Sequence, residues 1–304
     1  MEKIYDIVVV GGGPAGMTAA LYGLRNGKSV LTIEKAVFGG QIVNSPKVEN
    51  IPGFVSISGD EYGDLLLRQI QEQGGEAMFD EVLSVTSDGN IATVTLDFGE
   101  PVKARTVILA TGTVHRTLGL ENEEKLLGKS IHFCAVCDGS FYEGKTVVMI
   151  GGGNSAFVEG ILLADIVDRL IVQQDLPHFT ADQKSQGILL SRNNVEAHVG
   201  TRILGYETDG EKLTGVRYLE GENERIARCD GVFLAVGLIP ENDRFKDLLD
   251  TDRAGYFVSN ELGGTRVRNV FVAGDCRTKN LRQVATACAD GANAAIMACN
   301  ILNS

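Results

Sequence analysis

The chain has 304 residues, 44% hydrophobic and 22% charged, which is enough for two domains of ordinary size with cores of their own. A formal net charge of −12 argues against nucleic acid or an anionic membrane as a partner, while leaving room for a small basic patch that meets a protein. Six cysteines with a single close pair suit a reducing compartment better than a disulfide framework, which points to the cytoplasm. The first strand is expected from Ile4, too early for a secretory signal to precede it, and no apolar run approaches the length of a membrane span.

Ile7–Val10 is a β-branched run that ends in Gly11-Gly12-Gly13-Pro14-Ala15-Gly16. Ala15 to Asn26 then reads as a helix and Val30 to Glu34 as the next parallel strand, which makes a βαβ unit. Glycines at 11, 13 and 16 permit a tight turn, close approach to a pyrophosphate and close helix packing. Glu34 follows Gly11 by 23 residues, where a carboxylate accepts hydrogen bonds from a ribose. A β-rich stretch with an Asp88-Gly89 turn leads to the strand and glycine of Val107 to Gly112. The plan then returns. Thr146–Ile150 is a strand, Gly151-Gly152-Gly153 a turn, Ser155–Asp165 a helix and Arg169–Val172 a strand. A second Asp-Gly turn at Asp209-Gly210 leads to Val232 through Gly237, and Gly151 lies 140 residues after Gly11. The expected fold is therefore α/β: two Rossmann-like, three-layer ββα nucleotide-binding domains, one inserted into the other. Residues 1–112 and 240–304 would form the outer domain and 113–239 the inner one, with hinges at the two crossings.

Between the two turns lie Cys134 and Cys137, with Asp138 directly after. A Cys-x-x-Cys pair closes a small disulfide ring and passes two electrons by thiol–disulfide exchange, and an adjacent carboxyl can move the proton. Zinc would need four ligands, and although His132 is near, no second Cys-x-x-Cys or His pair stands at suitable spacing, so no metal is expected. Cys229, Cys276, Cys288 and Cys299 read as structural, with Cys276 notable for following Asp275. Far downstream, Asn269 to Asp275 has the form of a second flavin fingerprint, in which a strand delivers an aspartate to the ribitol chain. Arg282-Gln283-Val284-Ala285 then opens a helix. That downstream segment decides for FAD over NAD at the first turn.

These motifs, with Gly39-Gly40-Gln41 and Val48 to Phe54, resemble over the whole chain the low-molecular-weight thioredoxin reductase family. The resemblance implies one FAD per chain, a homodimer and a dithiol that exchanges with thioredoxin. It makes the outer domain the FAD-binding one and gives the inner domain the dithiol and a pyridine-nucleotide-like site. By position it implies FAD contacts from Gly11, Gly13, Pro14, Ala15, Gly16, Glu34 and Lys35, and from Gly40, Gln41, Asn50, Val82 and Gly112. Gly274, Asp275, Arg282, Gln283 and Val284 complete that set. It also implies that Cys137 faces the flavin, that Cys134 attacks the protein substrate and that Asp138 is the acid.

The second turn departs from the resemblance. In NADPH-using relatives the strand after this turn ends in His-Arg-Arg, with another arginine a few residues later; here the segment runs Leu170 to Asp182 through Gln173-Gln174-Asp175, and no arginine or lysine occurs between Arg169 and Lys184. Each charge-assisted bond lost costs ~1.5–3 kcal/mol, so losing two would weaken a 2′-phosphate by roughly 100- to 10,000-fold. Of the family's paired glutamates only Glu159 remains, in Phe157-Val158-Glu159-Gly160. The resulting expectation is a thioredoxin reductase resembling the ferredoxin-dependent flavin subgroup, with reduced ferredoxin as electron donor. The alternatives are NADH, bound by Asp175 at its 2′-hydroxyl; another ligand such as a second flavin; and residual NADPH use. Two other readings are a redox sensor that holds FAD without turnover, and a flavin enzyme serving a one-electron carrier, which would have no use for the dithiol.

Overall fold

The structure is a computed structural model that describes residues 3–45 and 48–304. In chain order it opens with strand β1 (Ile4–Val10), helix α1 (Pro14–Arg25), strand β2 (Val30–Glu34) and helix α2 (Gly59–Glu72). Strands β3 (Glu76–Phe79), β4 (Val82–Ser87), β5 (Ala92–Leu96), β6 (Val102–Leu109) and β7 (Thr113–His115) follow. Next come α3 (Glu123–Leu126), β8 (Ile131–His132), α4 (Ala135–Asp138), β9 (Thr146–Ile150), α5 (Asn154–Ala164) and β10 (Arg169–Gln173). Helix α6 (Gln183–Leu190) precedes β11 (Val195–His198), β12 (Thr201–Asp209), β13 (Lys212–Glu220), β14 (Asn223–Arg228) and β15 (Gly231–Leu234). The chain closes with β16 (Leu238–Pro240), β17 (Val270–Val272) and α7 (Val284–Asn303).

Two compact units result: one runs up to Val114 and resumes over Ile239–Ser304, the other is His115–Leu238. In the outer unit β3, β2, β1, β6 and β17 pair in parallel, and β4 and β5 join the first half of β6 as an antiparallel meander. The period of two along β1 assigns the layers. Ile7 and Val9 bury against the helices with Met17, Ile70 and Ala294, whereas Val8 and Val10 bury with Val85 and Val94 under the meander. Helices α1 and α7 meet closely because Gly291 lies against the backbone of Ala15, where a Cβ would strike the carbonyl oxygen.

The inner unit repeats the arrangement. Its parallel sheet has the order β11-β10-β9-β15-β8, and β12, β13 and β14 form the covering meander. Val147 and Met149 face α5 with Phe157, and Val148 and Ile150 face Tyr206, Leu213 and Val216. Registers repeat as well: Val10 stands opposite Ile33 and Leu109 in the first sheet, as Ile150 stands opposite Gln173 and Leu234 in the second. The fold is α/β with two Rossmann-like domains, each of three layers. Both Asp-Gly turns sit at the meander hairpins, β4–β5 and β12–β13.

Candidate active site: a disulfide and two glycine turns

Cys134 and Cys137 are joined in a disulfide with their Cα atoms 5.3 Å apart. The short helix α4 makes this ring possible, since Asp138 N donates to Cys134 O at 3.0 Å and Cys137 N to the Cys134 sulfur at 3.2 Å. Beneath it Glu159 of α5 accepts from Ala135 N at 3.0 Å. Burial, with the Asp138 charge adding to it, pushes the Glu159 carboxyl up to about 7 despite that hydrogen bond. Asp138 is buried: its Oδ2 lies 3.2 Å from His132 Nδ1, while its Oδ1 has no hydrogen-bond partner.

The remaining cysteines differ in kind. Cys229, Cys276 and Cys299 are buried and Cys288 is partly exposed. Burial pushes the Cys229 thiol up to about 12 and raises those of Cys276 and Cys299. Cys276 donates to Ala273 O at 3.2 Å, a packed thiol rather than a reactive one.

At the first turn Gly11 has φ +106°, and a Cβ there would run into Ala110 O. Gly12 N donates to Glu34 Oε2 at 2.7 Å, and Glu34 Oε1 accepts from Ala36 N at 2.8 Å, so the strand-end carboxylate is locked beside the turn. Pro14 starts α1, which has no side-chain cap, and Ala15 and Gly16 are buried in its first turn. Asn50 Nδ2 donates to Gln283 Oε1 at 3.0 Å across 233 residues, bringing two of the expected flavin contacts together. Gln283 caps α7, so Val284 is its first residue. Arg282 stacks on Tyr256 at 4.0 Å and donates to Asp275 O at 3.2 Å. Gly274 N donates to Asp290 Oδ2 at 3.2 Å. Gly40 and Gly112 take positive φ, and Gln41 is exposed. Lys35 is drawn to Glu241, and Val82 opens β4 inside the core with Val10 and Leu31.

The second turn reproduces the first in backbone. Gly151 N donates to Gln173 O at 2.8 Å as Gly11 N does to Ile33 O, also at 2.8 Å, and a Cβ on Gly151 would strike Ala235 O. Its side chains differ. The buried Gln174 stands where Glu34 stands and lies over Gly152, and its Oε1 accepts from Asp175 N at 3.2 Å. Asp175 itself is exposed. The loop after it folds back on the turn, with Thr180 N donating to Gly152 O at 2.8 Å.

The pyridine nucleotide-disulphide oxidoreductase profile matches residues 5–291. The chain belongs to that family. Among its relatives, the thioredoxin reductase of Listeria monocytogenes is 39% identical, covering 95% of this chain and 91% of its own. That of Bacillus subtilis is 37% identical over 97% of this chain and 93% of its own. The crystal structure of thioredoxin reductase from Streptococcus pyogenes superposes with a TM-score of 0.90 at 31% identity, covering 100% and 99% of the two chains.

FAD is the cofactor of these pyridine nucleotide-disulphide oxidoreductases, and the outer unit fits it. Asp275 carries a buried Oδ1 without a hydrogen-bond partner, and burial raises its carboxyl although Lys279 and Arg282 pull it down. The Lys279 ammonium lies 3.8 Å from that oxygen, which leaves its hydrogen-bonding capacity open to a ligand hydroxyl. Gly13 has φ −78°, and a Cβ on it would come no closer than 3.8 Å to any protein atom outside its chain neighbours. Neither backbone nor packing asks for glycine there, so the space suits a pyrophosphate before the uncapped amides of α1. Among the described residues no group of three His, Cys, Asp or Glu could hold a metal, and no helix is long and apolar enough to cross a membrane. Sequence reasoning gave no role to the buried imidazole of His132, nor to Asn242, which donates to Gly255 O and Cys276 O and accepts from Thr111 Oγ1. Asn242 is informative only through Thr111 and Cys276, far away in sequence, and His132 only through the way the chain folds back to Asp138 and Tyr142.

Proposed function

We propose that this protein reduces thioredoxin through FAD and the Cys134–Cys137 dithiol, with reduced ferredoxin as electron donor. The observation that carries the disulfide chemistry is the Cys134–Cys137 bond next to a buried carboxylate with one free oxygen, in a chain matched end to end by thioredoxin reductases. FAD held at the outer unit's site would supply the electron pair that reduces this disulfide. Cys134 is the attacking sulfur. The Cys137 N–H that touches it favours its thiolate, and Cys137 then attacks Cys134 in the resulting mixed disulfide, breaking that bond, re-forming the Cys134–Cys137 bond and releasing reduced thioredoxin. Asp138 holds the proton that the departing thiolate takes up. Glu159 pins the turn through Ala135 N. Gly11, Gly13, Pro14, Ala15, Gly16, Glu34, Lys35, Gly40, Gln41, Asn50, Val82, Gly112, Gly274, Asp275, Arg282, Gln283 and Val284 are proposed as the FAD site.

The donor assignment rests on the second turn. The nearest cations in sequence are Arg169, already paired with Glu196, and Lys184 on α6. Val158, where the family has its first glutamate, is 60% exposed, and Gln174 and Asp175 offer nothing cationic to a 2′-phosphate. A second reading, NADH, is favoured by Gly153: with φ −90° and nothing nearer than Thr180 Oγ1 at 3.7 Å, it too is a glycine that the fold does not require. A homodimer in the cytoplasm completes the proposal, on the strength of the resemblance and of the lone cysteine pair. Cys134→Ser and Cys137→Ser each keep FAD absorbance and lose reduction of thioredoxin with an artificial electron donor; turnover by either variant contradicts the mechanism.

A further inference from the structure

Resting on the reading of Asp138 as the proton carrier, we infer that His132 and Tyr142 form a buried positioning relay that fixes the Asp138 carboxylate for thiol–disulfide exchange. His132 is 4% exposed, lies on β8, and sits two residues before the dithiol. Its Nδ1 is 3.2 Å from Asp138 Oδ2 and its Nε2 2.8 Å from the Tyr142 hydroxyl. A carboxylate only accepts, so Nδ1 must carry a hydrogen; in the neutral ring Nε2 is then the acceptor and Tyr142 the donor. The Tyr142–His132 hydrogen bond then runs from the phenol to Nε2, and the Nδ1 hydrogen is the one that the nearby Asp138 Oδ2 attracts.

The relay is held by its surroundings. Phe233 packs against both rings, with centroids 5.4 Å from His132 and 5.6 Å from Tyr142. Gly231 makes room for Tyr142, since a Cβ there would collide with the phenol ring. Burial and the charges of Asp138 and Asp230 raise the Tyr142 phenol, which keeps its proton. Glu159 faces Asp138 from α5, and Lys145 lies 5.4 Å over the Tyr142 ring from the outer side. With Oδ2 held 3.2 Å from the imidazole, Oδ1 is the oxygen left without a partner and so the one to exchange a proton.

The consequence lies in the leaving group. With bis(2-hydroxyethyl) disulfide, the Cys134 thiolate attacks one sulfur, the S–S bond breaks, and one 2-mercaptoethanol leaves. Cys137 then attacks Cys134 and expels the second, closing the protein disulfide. The two thiol protons of the dithiol end on the two departing thiols, and Asp138 passes them. An aryl disulfide, 5,5′-dithiobis(2-nitrobenzoate), releases a thiolate that departs without a proton.

The test measures anaerobic oxidation of the prereduced, FAD-loaded full chain by each probe. His132→Leu is expected to slow the reaction with the hydroxyethyl probe about tenfold or more and leave the aryl probe within about twofold. His132→Asn places an amide N–H where Nδ1 stands and is expected to restore the hydroxyethyl rate to within about threefold of the parent. Asp138→Asn should lose the hydroxyethyl reaction at least as severely as His132→Leu. Equal losses on both probes in His132→Leu, no loss on either, or no rescue by asparagine overturn the relay while leaving Asp138 in place. An unimpaired Asp138→Asn removes the proton-carrier reading itself, and the relay with it.

Discussion

Glu159 is the residue whose energetics the structure states most plainly. Burial, with the Asp138 charge adding to it, pushes its carboxyl up to about 7, above its ordinary 4.5. A group raised on folding contributes stability that is complete below its unfolded value and is lost as pH rises through its folded value. Between about pH 4.5 and 7 the folded chain therefore holds a proton that the unfolded chain has released. Gln is neutral throughout and can still accept from Ala135 N. Glu159→Gln should match the parent's melting temperature near pH 5 and exceed it near pH 8, by calorimetry at both pH values. An equal difference at the two pH values contradicts the burial argument.

At the scale of elements, the two glycine turns separate what the fold needs from what a ligand needs. Gly11 and Gly151 serve the fold, through φ of +106° and +131° and the carbonyls that crowd them. Gly13 and Gly153 do not, since a Cβ at either meets nothing closer than 3.7 Å. Gly13→Ala should leave the melting temperature of the FAD-free protein unchanged and weaken FAD binding at least tenfold, by fluorescence titration. Unaltered FAD affinity contradicts the cradle. Gly153→Ala should leave ferredoxin-driven turnover intact, whereas NADH-driven turnover that the parent shows and the variant loses favours a nucleotide at the second turn. These elements were legible because their signals are local: a β-branched run, a glycine turn and a helix of fixed period. Helix α1 was expected from Ala15 to Asn26 and spans Pro14–Arg25. The crossings came two residues later and one earlier than expected, after Val114 and after Leu238, because β7 and β16 continue as a paired ribbon. The partners of Asn242 were not legible, since a hydrogen bond across a fold leaves no spacing to read, and those of His132, though within ten residues, depend on how β8, α4 and the turn after it fold back on one another.

For the molecule as a whole, duplication explains both the resemblance and the departure. Two units share strand order, register and turn geometry, so a fold built around a nucleotide turn persists even when the residues beside it change. What changed is confined to side chains: glutamate at 34 against glutamine at 174, and no cation between Arg169 and Lys184. On the proposed reading, the choice of donor lies in a few residues on one loop rather than in the fold. Anaerobic mixing of the oxidised, FAD-loaded protein with NADPH, NADH or reduced ferredoxin, followed by flavin absorbance, tests this most directly. Fast bleaching by reduced ferredoxin and none by NADPH is the predicted result; fast bleaching by NADPH contradicts it.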